Sequence, residues 1–277
     1  MDLGYIILLF AIGFIASLIS GMVGIGGAVI KYPLLLLVPQ LFGYAAFTAH
    51  EVSGLNAIQV FFATLAAVFA LRNEDVLNMK LILYMGTAVL FGSFIGGYGA
   101  QFLSNETVNI VFIALAFTAL VMMFIPKPDI EGVPYDQVTF NRWLAAGSAF
   151  FVGLFSGVVG AGGGFILVPI MLLILRIPTR MTIATSLAVA FLNSIGATVG
   201  KILANEIIWG PAIVLVIASI LGAPVGAKLT KVFQPKTLQY ILTALIALTV
   251  FKMTYDIIFP VTEIPTDVPV PESVPES

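Results

Sequence analysis

The chain has no cysteine, a single histidine and only 9% charged residues among its 277. The absence of cysteine excludes disulfides, thiolate metal sites and any relay that passes sulfur through a protein thiol. One histidine, with no aspartate or glutamate clustered inside the apolar segments, leaves too few bases or ligands for an embedded enzyme. No catalytic residue, metal or cofactor is therefore assigned. A formal charge of −2 with no basic stripe excludes nucleic acid as a partner. The first residues, Met1-Asp2-Leu3-Gly4, lack the basic region of a secretory signal. The first apolar run is thus expected to belong to the mature protein.

Hydrocarbon is what the chain has in abundance. Hydrophobic residues make up 60% and the mean hydropathy is +1.11, whereas soluble domains carry about 25% charged residues. The expected class is an all-α polytopic membrane protein, multi-pass, with the lipid bilayer as its surroundings. Apolar runs at 4–38, 44–70, 81–103, 107–125, 143–175, 179–203, 209–230 and 238–258 are long enough to cross or deeply enter a core of roughly 30 Å. Trp143 and Trp209 stand at segment starts, where interfacial aromatics anchor.

Two of these runs are interrupted by glycine: Ser20-Gly21-Met22-Val23-Gly24-Ile25-Gly26-Gly27 and, 136 residues later, Ser156-Gly157-Val158-Val159-Gly160-Ala161-Gly162-Gly163. Pro33 and Pro169 follow at equal spacing. Further on, Ala49-His50-Glu51-Val52 aligns with Ala184-Thr185-Ser186-Leu187, Leu55-Asn56 with Leu192-Asn193, Leu71-Arg72-Asn73-Glu74 with Leu203-Ala204-Asn205-Glu206, and Gly92 and Gly96 with Gly222 and Gly226. A repeat of this length predicts two four-segment halves, 1–125 and 141–258, joined by a Pro- and Asp-containing linker at 126–140. The acidic, Pro-rich tail, 259–277, lacks the apolar residues for a core and is expected to be disordered.

Residues 4–38 as one helix would be about 52 Å long, well beyond the hydrocarbon thickness, whereas the limb after the glycines would be only about 18 Å. A re-entrant helical hairpin, broken at the glycines, fits each half better. Lysine and arginine favour the cytoplasmic side. Arg72 and Lys80 lie between segments two and three of the first half, whose next loop has none. In the second half the equivalents carry Lys201 alone and then Lys228, Lys231 and Lys236. The reversed bias predicts inverted repeats, the first hairpin entering from outside and the second from inside. Eight full crossings with parallel halves is the rival arrangement.

Freed amides at Gly24, Gly26 and Gly27, and at Gly160, Gly162, Gly163 and Gly164, would meet near the midplane as an anion site. Lys31, one turn beyond the first cluster, would supply a counter-charge, since lysine at membrane depth costs roughly 2.5 to 3.5 kcal/mol and is functional by default. A Lys that snorkels to the interface is the alternative. Thr182, Thr185, Ser186, Val189 and Asn193 share one helical face, with Ser53 and Asn56 as first-half counterparts. Such donors suit an oxyanion or, equally, hold helices together. His50 and Glu51 are proton-coupling candidates, since histidine has an unperturbed pKa of about 6.5. Glu51 could instead pair with Lys31 or His50.

At these residues the sequence resembles the TauE/SafE (sulfite exporter) family. The resemblance rests on Gly24-Ile25-Gly26-Gly27 with Pro33, Gly160-Ala161-Gly162-Gly163-Gly164 with Pro169, Ala184-Thr185-Ser186-Leu187, and the paired glycines 92/96 and 222/226. It covers nearly the whole chain except the tail. It implies a secondary transporter of the cytoplasmic membrane, an exporter of small anions such as sulfite or sulfoacetate, working by alternating access about the paired bends. A passive anion channel, or a transporter of another small anion such as a carboxylate, is the alternative. The sequence sets no oligomeric state.

Overall fold

The computed structural model describes residues 2–23, 28–71, 77–125 and 138–229, with isolated positions beyond. Nine α-helices are found among the described residues: α1 (Leu3–Val23), α2 (Ala28–Leu41), α3 (Ala49–Leu71), α4 (Met79–Gly99), α5 (Asn105–Phe124), α6 (Arg142–Val159), α7 (Gly164–Pro169), α8 (Thr179–Leu203) and α9 (Trp209–Leu229). A 3₁₀ turn, Ala100–Phe102, extends α4, and a π-helical turn, Ile170–Ile174, extends α7. Helices follow from the solvent, because in hydrocarbon the backbone must satisfy its own N–H and C=O groups. Seven of them are long and apolar enough to cross a membrane; α2 and the limb made by α7 and its π turn are shorter.

The run 143–175 divides at its glycine cluster, while the glycines of the run 4–38, residues 24–27, lie outside the described residues. The run 4–38 becomes α1 and α2, and the run 143–175 becomes α6 and α7 with its π turn. Short polar caps begin several helices where the sequence leaves the apolar pattern. Asn78 accepts from Leu81 N before α4, Ser104 from Thr107 N before α5, and Asn141 from Trp143 N and Leu144 N before α6. The last apolar run, 238–258, falls almost entirely outside the described residues, as do most of the linker and the whole tail.

Glycine decides which helices touch. The broadest packing joins α4 to α6 and α8, and α9 to α1 and α3. On α4, a Cβ at Gly92 or Gly96 would collide with the carbonyls of Phe150 or Leu154 on α6. From the other side, Gly153 and Gly157 lie against Val89 and Ser93. On α9, Gly222 and Gly226 lie against the Phe14 and Leu18 carbonyls of α1. Backbones come this close only where side chains are missing, and that contact replaces the hydrophobic drive that lipid does not supply. The outer helices turn Phe91, Ile95, Phe117, Phe151, Ile213 and Ile217 outward. The most enclosed spans are α3 and α8, each with 67% of its central stretch buried against 22% for α5. Buried polar side chains concentrate on those two helices, so the polar centre of the protein lies between them.

Candidate functional site

The second glycine bend is fixed by backbone geometry that side chains resist. Gly160, Gly162 and Gly163 have φ of 68°, 70° and 65°, the left-handed region where a Cβ is strained. Space excludes a Cβ as well. At Gly160 it would strike the Ser53 carbonyl, and at Gly163 it would lie 2.9 Å from Asn193 Nδ2 and 3.0 Å from Ser156 Oγ. Turn bonds from Gly160 N to Gly157 O and from Ala161 N to Ser156 O close α6, and Ile166 N and Leu167 N both donate to Gly163 O to open α7. None of these bonds uses the N–H of Gly162, Gly163, Gly164 or Phe165. The next limb does not stay α-helical after Pro169, and Leu175 N reaches Ile170 O across the π turn. Gly24, Gly26 and Gly27 lie outside the described residues.

The second bend packs against α3 and α8. Asn193 Nδ2 donates to Ser156 Oγ at 2.9 Å, tying α8 to the last turn of α6. Ser53, Asn56, Ala57 and Val60 share one face of α3 by their spacing, and Gly160 and Gly162 press on Ser53, Ala57 and Val60. Asn56 is fully buried on that face, and neither its Oδ1 nor its Nδ2 has a hydrogen-bond partner among the described residues. Thr182, Thr185 and Ser186 are fully buried too. Thr182 and Ser186 bond back to the Ile177 and Ile183 carbonyls, while Thr185 Oγ1 accepts from Asn78 N at 3.4 Å. The expected α8 face is therefore an inward face, and part of its hydroxyl capacity is already spent on the backbone.

Lys31 sits in α2 at 1% exposure, which excludes the snorkelling alternative. No hydrogen bond or ion pair to its ammonium is formed among the described residues. Its neighbour Tyr32 is held firmly, stacked on Phe112 at 4.2 Å between centroids and donating to Asn109 Oδ1 at 2.9 Å. Glu51 is not the partner of Lys31 or of His50. Its carboxylate accepts from Thr48 N at 2.7 Å while Thr48 Oγ1 accepts from Glu51 N at 3.2 Å, a reciprocal capping box at the start of α3.

The carboxylate at His50 is Glu206, in the connection between α8 and α9, with Oε1 3.2 Å from His50 Nδ1. Glu206 Oε2 accepts from Lys201 Nζ at 2.5 Å, and Ser53 Oγ, which donates to the His50 carbonyl at 2.8 Å, lies 3.4 Å from it. His50 Nε2 lies 3.0 Å from the Leu103 carbonyl. Lys201, counted in the sequence as a loop charge, is fully buried in the last turn of α8. Its pairing with Glu206 escaped the sequence reading. The signal was there in the i, i+5 spacing of a lysine and a glutamate at the end of an apolar helix.

A family model described as Sulfite exporter TauE/SafE matches residues 9–253. The chain is 26% identical to the probable membrane transporter protein YunE of Bacillus subtilis, across 91% of this chain and 98% of that protein. A probable membrane transporter protein of Haemophilus influenzae is also 26% identical, across 92% and 98%. One from Methanocaldococcus jannaschii is 24% identical, across 86% and 91%. No solved structure matches the chain.

Proposed function

The chain belongs to the TauE/SafE sulfite exporter family, a family of membrane transporters, and from that premise we propose that it exports a small sulfur oxyanion or organosulfonate, such as sulfite or sulfoacetate. The observation that carries the anion reading is Lys31. A fully buried amine with no counter-ion among the described residues is costly to hold charged, and a bound anion would offset that cost during each cycle. The unpartnered amide of Asn56, facing the second bend, offers the neutral donor that a tetrahedral or pyramidal oxyanion needs on its other side.

Alternating access of two inverted repeats is the mechanism proposed. Phe14 and Leu18 are contacted by Gly222 and Gly226, while Phe150 and Leu154 are contacted by Gly92 and Gly96. Each member of the first pair stands 136 residues before its counterpart in the second, the same offset that separates the glycine clusters. This exchange supports two equivalent halves. The contacts of His50 favour inversion over parallel halves. Inversion puts the start of α3, the connection after α4 and the connection after α8 on one side of the membrane, and these three meet at His50, Leu103 and Glu206. Parallel halves with eight full crossings would put Glu206 on the opposite side from His50. With Lys201 buried, the connection after α8 also loses its only loop cation, which strengthens the reversed charge bias.

Purified protein in liposomes free of other components provides the test. Saturable movement of unmodified sulfite or sulfoacetate, competed by the other anion, is the expected result. Flux that rises linearly with concentration would replace the transporter with a channel, and no anion flux at all would remove the proposal.

A further inference from the structure

We propose that His50 and Glu206, supported by Lys201, form a proton-binding site that ties the start of α3 to the α8–α9 connection. The argument starts from the imidazole. Its Nε2 lies 3.0 Å from the Leu103 carbonyl and its Nδ1 lies 3.2 Å from Glu206 Oε1. A carbonyl oxygen only accepts, and so does an ionised carboxylate. A neutral imidazole has one N–H, so whichever tautomer forms, one ring lone pair faces an oxygen lone pair. Both Nδ1 and Glu206 Oε1 are buried with no other hydrogen-bond partner among the described residues. The arrangement is therefore complete only with one additional proton, either on the ring as imidazolium or on Glu206 as a carboxylic acid donating to Nδ1.

The surroundings fix where that proton acts. Lys201 Nζ holds Glu206 Oε2 and keeps the carboxylate aimed at the ring, while the single Ser53 hydroxyl proton goes to the His50 carbonyl at 2.8 Å. Lys201 balances the carboxylate charge, so the added proton gives the cluster its net positive charge. Glu51, beside His50, is engaged with Thr48. From α5, Asn105 Oδ1 accepts from His50 N, and Glu106 in that helix's first turn is exposed. The His50 side chain is 20% exposed, which gives the proton a path to water. Loss of the proton leaves one ring lone pair facing an oxygen lone pair, at Leu103 O or at Glu206 Oε1 according to the tautomer, and the repulsion separates the connection after α4 or the α8–α9 connection from the start of α3. In the transporter proposed above, on which this consequence rests, that separation links the cycle to protons.

His50 is the only histidine, so ¹⁵N-histidine labelling of the full chain in nanodiscs gives one imidazole whose protonation can be followed from about pH 5 to 9. The chain has no cysteine, so spin labels at Gln101→Cys and Trp209→Cys, both exposed, report the distance between the connection after α4 and the start of α9. The expected result is a distance distribution that lengthens with the same pH midpoint as loss of the ring proton, and that becomes independent of pH in His50→Gln. The double variant Glu206→Gln, Lys201→Met removes the buried charges together. It is expected to uncouple ring titration from distance while the protein stays folded. A distance unchanged across the ring's titration, or one that still changes with pH in His50→Gln, overturns the proposal. Neither readout requires any anion to be transported, so failure here is distinct from failure of the transport reading.

Discussion

Asn193 Nδ2, on α8, lies 2.9 Å from Ser156 Oγ and 2.9 Å from the point where a Cβ on Gly163 would fall. One amide thus braces the end of α6 and fills the space that a larger residue at the bend would need. Gly163→Val is expected to abolish anion binding, through backbone strain at φ 65° and displacement of this amide. Extractable, helical protein should remain, because α6 and α8 keep their separate contacts with α4. Binding of sulfite followed by calorimetry checks this; a variant that binds and transports normally would make the bend a packing device.

Lys31 separates affinity from stability. Lys31→Gln should weaken anion binding by at least the roughly 1.5 to 3 kcal/mol of a charge-assisted hydrogen bond. Lys31→Arg should restore only part of it, since a planar fork does not reproduce a compact ammonium. Lys31→Met should raise the melting temperature of anion-free protein, because a buried amine without a partner has been removed. Unchanged affinity in Lys31→Gln would take Lys31 out of the site.

The Lys201–Glu206 pair has a different signature. Each single change, Lys201→Met or Glu206→Gln, leaves one buried polar group short of its partner and should destabilise by about 3 to 5 kcal/mol, with the double variant much closer to the native protein. A double-mutant cycle from thermal unfolding measures this. Additive effects would show that the 2.5 Å contact contributes no coupling.

Inverted halves predict opposite exposure of two positions. Gln101→Cys should be labelled by impermeant reagent from outside, and Lys228→Cys, exposed at the end of α9, from inside. Both labelled from one side would remove the inverted arrangement.

The all-helical class, the break at the second glycine cluster and the inward face of α8 were legible in the sequence, because they depend on local quantities. A run of apolar residues long enough for the bilayer must satisfy its backbone as helix. A cluster such as Gly160 to Gly164 interrupts that helix wherever the chain folds, and the spacing of Thr182, Thr185, Ser186, Val189 and Asn193 sets their common face before any partner exists. Which faces meet was decided only by tertiary packing. Glu206 reaches His50 across 156 residues because Gly54, one turn further along α3, lets the Glu206 backbone come directly against that helix, where a Cβ would strike the Glu206 carbonyl. The role of Glu51 likewise depended on a competition the sequence leaves open. The capping bond to Thr48, three residues away, forms within one turn of helix, while the long-range carboxylate beside the histidine comes from the other half of the chain.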